Sequence, residues 1–339
     1  MNVLKYLLVI ISFFPQVTQA IYRIYSGNIG DKKIDFYISG TSDNSLTISY
    51  VNTNDYTIIS ERLPKKVDNE YVYENYTYDL FGNKDTLILK NFDFSENKIK
   101  SENDFLIGTS LKFGDFKLKK IFEYNVIWSN GYKENHKDSK ELLSNIEFKN
   151  VEFLQIHSTK DFYFKLLLSK NKKEDIKITG VNIYSKKNGE LIQRIKTKKN
   201  YLFYDVFTVE IGDFDFDGNE NDFSLVEGDT RGTNVPHMYF IYDESQNKFI
   251  DPNLEGYVFV FDPEKKIATS TKTCGDVILY ENNIILNKMY YFNQSKKKYE
   301  YIDQYCMAIP DGVDYYLREC TIKERQDCEK AVVEPGDEP

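Results

Sequence analysis

The chain has 339 residues, a formal net charge of -9 and four cysteines, with 27 Tyr and 24 Phe against one Trp and 8 Pro. The acidic balance excludes a nucleic-acid partner, which would want a basic patch, and suits a cationic protein partner that an acidic surface steers in. Tyr and Phe fit half-buried pleated surfaces, so the composition points to an all-β chain, and its length allows two domains.

Residues 1–20 read as a signal peptide. Lys5 supplies the positive start, Leu7 to Phe14 the apolar run, and Thr18-Gln19-Ala20 a small-residue cleavage site. The apolar run is too short to span a bilayer. The mature chain is therefore expected in the periplasm or secreted, with no stable membrane insertion. From Ile21 apolar and polar residues alternate: Ile34, Phe36 and Ile38 follow the turn at Asn28 to Gly30, then Leu46, Ile48 and Tyr50, then Thr86 to Leu89. Short strands with regularly spaced turns predict an antiparallel sandwich or barrel-like fold, with an N-terminal β domain over 21–140. Residues 131–141 are polar and read as a linker, and Asp138 or Ser139 could cap a short helix carrying Leu142 and Ile146. A second β domain is expected over 141–310. It holds a buried strand from Phe162 to Leu168, a hairpin turning at Lys187-Asn188-Gly189, and an apolar strand from Tyr201 to Val209. Strands at Phe223 to Val226, Met238 to Tyr242, Val277 to Tyr280, Lys288 to Phe292 and Tyr299 to Cys306 complete it. The basic runs at Lys196 to Lys199 and Lys296 to Lys298 fall at turns and read as solvated loop tips.

The strand ending at Val209 runs into Asp213-Phe214-Asp215-Phe216-Asp217-Gly218-Asn219-Glu220-Asn221-Asp222. Alternate carboxylates, a glycine and further oxygen-bearing side chains are what a hard cation needs, since calcium gathers six to eight oxygens around a loop that turns sharply. The alternative is a hairpin extension with Asp213, Asp215 and Asp217 on its wet face, Phe214 and Phe216 on its dry face and Asp-Gly as the turn. Three like charges on one face repel unless neutralised, which favours the cation. The loop is not an EF-hand, because its twelfth position is Ser224 rather than the bidentate Glu.

In an exported chain Cys274, Cys306, Cys320 and Cys328 suggest disulfides in a tail over 311–339. Thr321-Ile322-Lys323-Glu324 resembles a capping box. If a helix runs from it through Cys328, Cys320 and Cys328 lie roughly 12 Å apart and each pairs with one of the earlier two. If not, Cys274–Cys306 with Cys320–Cys328 is the simpler pattern, and the shortness of the helix tips the reading toward it.

The order of elements after residue 200 is an apolar strand, the Asp-rich loop, then Asn234-Val235-Pro236-His237-Met238-Tyr239-Phe240-Ile241-Tyr242-Asp243. The paired strands around Met289-Tyr290-Tyr291-Phe292 and Lys298-Tyr299-Glu300-Tyr301 follow. This order resembles a family of bacterial periplasmic proteins related to invertebrate-type lysozyme inhibitors, some of them immunity partners of peptidoglycan-cleaving toxins. The resemblance implies a β fold with a calcium-containing loop and inhibition of a peptidoglycan hydrolase by loop insertion into its cleft. It carries the metal motif onto Asp213, Asp215, Asp217 and Asn219. The family's next acid would fall at Asn221; here it comes one residue later, at Asp222, which would need a one-residue bulge. For the partner the expected contacts are Arg231, Asn234, His237 and Tyr239, since Tyr and Arg favour buried interface anchors. The alternative function is a calcium-dependent carbohydrate- or surface-binding module. His136, His157 and His237 sit in no catalytic motif, so the chain is not expected to be an enzyme.

Overall fold

The computed structural model describes residues 17–41, 47–52, 55–56, 58–62, 65–67, 70–74, 86–90, 104–129, 146–172, 174–203, 206–226, 234–254, 256–276, 281–309 and 317–331. The expected linker at 131–141 with its short helix, the strand from Val277 to Tyr280 and the far end of the tail lie outside them.

The described chain is nearly all antiparallel β, as the alternation predicts. Its first sheet has nine strands: β1 (Val17–Ile29), β2 (Lys32–Thr41), β3 (Thr47–Val51), β4 (Ile58–Arg62), β5 (Lys65–Val67), β6 (Glu70–Glu74), β7 (Thr86–Leu89), β8 (Phe105–Ser110) and β9 (Gly114–Ser129). The order β4-β3-β2-β1-β9-β8-β7-β6-β5 places the two long strands centrally. The β1–β2 hairpin turns at Gly30, whose φ of +61° a residue with a Cβ adopts at a cost. The sheet curls so that Phe36, Tyr50, Leu106, Phe116 and Leu118 share one cluster. Arg23 is 2% exposed, and its Nε donates to Glu123 across the β1–β9 pair at 2.9 Å. The expected cleavage site Thr18-Gln19-Ala20 lies within β1, and the next two residues, Ile21 and Tyr22, are both buried.

Three smaller sheets follow. The second is β10 (Phe148–Leu154), β11 (Phe162–Lys170), β12 (Lys177–Ser185) and β13 (Leu191–Leu202); the third is β14 (Val209–Gly212), β15 (Asp222–Val226), β16 (His237–Asp243) and β17 (Lys248–Ile250). The fourth is β18 (Phe259–Asp262), β19 (Ile267–Asp276), β20 (Glu281–Asn293), β21 (Lys298–Ala308) and β22 (Arg318–Glu319). The apolar run from Tyr201 to Val209 is not one strand: β13 ends at Leu202 and β14 begins at Val209. Successive sheets pack through aromatic rings. Tyr22 and Tyr37 of the first sheet meet Phe153 of the second, Phe164 meets Phe223 of the third, and Tyr239 meets Phe259 of the fourth. One apolar cluster thus crosses the boundary expected near residue 140.

The tail is folded through Ala331, and its disulfides correct the simpler pattern. Cys274 pairs with Cys328 and Cys306 with Cys320, at Cα separations of 5.6 and 5.4 Å. The reason is α1 (Ile322–Lys330), which forms despite its length. Thr321 Oγ1 accepts from the Glu324 N–H, and the Glu324 carboxylate accepts from the Thr321 N–H. Arg318 grips the same carboxylate through both terminal nitrogens, and Lys272 Nζ donates to the Cys328 and Ala331 carbonyls at the far end. With the helix formed, Cys320 and Cys328 cannot reach each other.

Candidate metal centre

β14 and β15 pair regularly from Val209↔Leu225 to Gly212↔Asp222, so residues 213–221 close a hairpin. The register holds no bulge. The strands do not extend into the acidic stretch: Phe216 has φ +58° and Gly218 φ +90°, and the chain curls. A left-handed phenylalanine is strained. Phe216 is held there by rings of the fourth sheet, lying 6.2 Å from Phe261 and 6.4 Å from both Phe292 and Tyr299. Phe214 anchors beside it, 4.9 Å from Phe261 and 5.0 Å from Tyr239. The alternating Phe residues therefore clamp the loop to the third and fourth sheets, and Asp215 turns inward while Asp217 stays exposed.

Asp213, Asp215 and Asp222 each bring a carboxylate oxygen within 4.8 Å of the other two. Asp215 is 2% exposed and Asp222 0%. Backbone amides hold the three in place. Asp213 accepts from the Asp217 and Gly218 N–H groups at 3.1 and 3.0 Å, and Asp215 accepts from the Asp217 N–H at 3.2 Å. Asp222 accepts from Phe214 and from Tyr242 of β16, both at 2.8 Å. Burial pushes the Asp222 carboxyl up to about 8 even against those two amides, and the Asp215 charge adds to the rise. Asp215 is pushed to about 6 by burial and then by the Asp217 charge, with Lys297 opposing. A pair of carboxylates this unwilling to ionise lacks compensating positive charge. Lys297 Nζ stands 3.7 Å from Asp215, beyond hydrogen-bond length.

The sequence-expected ligands divide. Asp213, Asp215 and Asp222 converge. Asp217 and Asn219 are exposed, and Asp217 accepts from the Asn219 N–H at 2.7 Å in a local turn. Asn221 has a buried side-chain oxygen with no hydrogen-bond partner among the described residues. The three converging carboxylates are a hard cation's kind of donor: all oxygen, no sulfur, no imidazole. Asp213, Asp215 and Asp222 could hold a metal ion. Asp222, the acid displaced from the family's pattern, is the most deeply buried of the set. Sequence reading also missed two supports, the Tyr242 amide and Lys297. The signal for Lys297 was the basic run at 296–298, which read as a solvated tip but reaches back over the loop. Tyr299 of the same hairpin donates its hydroxyl to the Phe214 carbonyl.

The expected partner contacts fall at different depths. Arg231 lies outside the described residues. Tyr239 is 4% exposed and packs on Phe214, Phe259 and Phe261, within the apolar core. Asn234 ties both ends of its amide to Thr273, donating to its carbonyl and accepting from its N–H at 2.8 Å each. His237 stacks on Tyr239 at 5.7 Å, its side chain is 10% exposed with Glu210 at 3.9 Å, and burial lowers its pKa to about 4.

No family model and no curated protein matches the chain. Among solved structures it is similar to the WD40 domain of SCAP from fission yeast, at 11% identity and a TM-score of 0.27 over 87% of this chain and 67% of that one. A post-proline cleaving enzyme from Rickettsia typhi gives 13% and 0.22 over 76% of this chain and 31% of the other. Levansucrase from Bacillus subtilis gives 9% and 0.21 over 85% and 84%. Likenesses this loose assign neither a fold family nor an activity.

Proposed function

We propose that the protein is an exported calcium-binding β protein that acts as a calcium-dependent carbohydrate- or surface-binding module. The observation that carries this reading is the convergence of Asp213, Asp215 and Asp222 at the seam of the third and fourth sheets. Calcium there would be held by those carboxylates. It would neutralise a buried cluster that otherwise resists ionisation, and so fix the β14–β15 loop against the fourth sheet. Two disulfides suit an oxidising compartment, and no described helix is long and apolar enough to cross a membrane.

The fourth sheet supplies a surface for ligand. By register Val260, Thr269, Met289 and Asp303 form one row across it, and Thr271, Asn287 and Tyr305 the next. Val260 is 65% exposed, and Tyr291 and Tyr305 are each 45% exposed. Exposed tyrosine side chains on this sheet suit a glycan chain, which offers apolar faces and hydroxyls together.

The test is calcium titration of chelator-treated protein by calorimetry, followed by pull-down on insoluble polysaccharides and cell walls. One bound calcium, with polysaccharide retention lost in chelator and in a Tyr291→Ala/Tyr305→Ala variant, supports the module. The inhibitor reading keeps Arg231, Asn234, His237 and Tyr239 as its expected contacts, so the same preparations are run in a turbidity assay of peptidoglycan lysis. Stoichiometric protection without polysaccharide retention would replace the module by a hydrolase inhibitor.

A further inference from the structure

A cleft of about 200 Å³ opens between the first and second sheets, lined by Lys33, Ile34, Asp35, Tyr37, Val51, Tyr56, Tyr163 and Lys165. It lies apart from the acidic loop and does not rest on the calcium reading. Strand pleating sets its walls. Lys33, Asp35 and Tyr37 project from one side of β2, and Tyr163 and Lys165 from one side of β11.

Lys165 is the unusual member. Its side chain is 14% exposed, and its ion-pair partner Glu152 stands at 3.8 Å, beyond hydrogen-bond length. Both Glu152 oxygens are already engaged, one accepting from Asn182 and the other from the Tyr184 hydroxyl. Other half-buried lysines in this fold are satisfied: Lys170 donates to the Ile146 and Asn171 carbonyls, and Lys186 to Ser158 and the Thr159 carbonyl. Lys165 has no acceptor at hydrogen-bond distance among the described residues. Instead its ammonium lies 5.4 Å from the Tyr37 ring and 5.2 Å from the Tyr184 ring, within cation–π range of both. Burial lowers its pKa, with Glu152 and Asp35 opposing the fall. The other acid at the wall, Asp35, accepts the Ser26 hydroxyl at 2.6 Å, while Lys33 adds a second ammonium to the lining.

We infer that this cleft binds a small carboxylate carried on a single ring, with the carboxylate on Lys165 and Lys33 and the ring against Tyr37, Tyr56 and Tyr163. The volume admits one ring and little more, below the usual size of drug-like pockets. The spare ammonium donors call for an anionic acceptor, since a charge-assisted bond is about twice as strong as a neutral one. An aromatic acid and an acidic monosaccharide share this chemistry.

The experiment is ligand-observed NMR and calorimetry on the full disulfide-bonded chain with benzoate and glucuronate, each beside its neutral counterpart, benzyl alcohol and glucose. At least one carboxylate is expected to bind at least tenfold tighter than its neutral partner, and which one does identifies the ring. Lys165→Met should weaken that binding at least tenfold, and Val51→Trp, which fills the cleft and leaves the lysine, should abolish it. Equal binding of acid and neutral partner, full binding by either folded variant, or no binding by any of the four probes would overturn the inference.

Discussion

Calcium should stabilise this protein, and increasingly so as pH rises. Asp222 is fully buried and its carboxyl is pushed to about 8 without a cation, against about 4 in an unfolded chain. A carboxyl raised in the folded state contributes stability that is complete below pH ~4 and is lost as pH climbs through ~8. At about 1.4 kcal/mol per unit, the loss has a ceiling on the order of 5 kcal/mol. A bound cation removes that loss by making the ionised form the favoured one. Calcium at a hundred times its Kd adds about 3 kcal/mol, worth roughly 5 °C or more in Tm for a chain of this size. The assay is differential scanning calorimetry in calcium and in chelator at pH 6, 7, 8 and 9, on wild type and Asp222→Asn. The gap between calcium and chelator should widen with pH in wild type and vanish in the variant. Asp222→Asn should also cost about 1–3 kcal/mol near pH 6, because the Phe214 and Tyr242 N–H groups bond to different carboxylate oxygens and the amide puts a donor in place of one of them. Coincident melts in calcium and chelator at every pH would refute the reasoning, as would an undiminished calcium response in Asp222→Asn.

Three further predictions follow from the rest of the fold. His237 titrates near 4 when folded and near 6.5 unfolded, so it contributes stability above pH ~6.5 that is lost as pH falls toward 4; denaturant melts should show His237→Asn sparing roughly 3 kcal/mol of wild type's acid loss. The disulfides span 14 and 54 residues, so breaking Cys306–Cys320 should cost about 3 kcal/mol and Cys274–Cys328 about 4, and peptide mapping should recover those two pairs alone. Arg23→Ala removes a buried side chain and one of the two cations on Glu123, which keeps Lys120, and should cost about 2 kcal/mol in urea melts, whereas Lys90→Ala, which opens an exposed pair with Asp115, should cost less than about 1.

Much of this was legible in the sequence, because period-two alternation is local. The antiparallel strands, the hairpin turn at Gly189 and the Asp-rich loop all follow from residues next to one another. Depth was not legible. Tyr239 reads as an interface anchor or a core residue equally well, and only the rings of Phe259 and Phe261, brought from another sheet, decide it. The disulfides turned on a marginal helix whose stability comes from Arg318, Glu324 and Lys272 acting together. The Tyr37–Lys165 cleft joins strands far apart in the chain, with no motif to announce it. Within the acidic loop, the curl at Phe216 buries Asp215 and leaves Asp217 exposed, a split that alternation alone does not foresee.

The short strand β22 bears on how the chain ends its own array. Four sheets packed in series leave β21 as an outer edge, and an open edge is a template on which another chain can assemble. Here β22 pairs with Met307 and Ala308, and the Cys306–Cys320 bridge makes that pairing permanent. Beyond the covered end, β21 shows Lys298, Glu300, Asp303 and Gln304 to solvent and carries an irregular register beside Met289. Reduction would then act first on self-association: with the bridge open, the edge loses its cover, and chains of this protein gain a place to add to one another strand by strand.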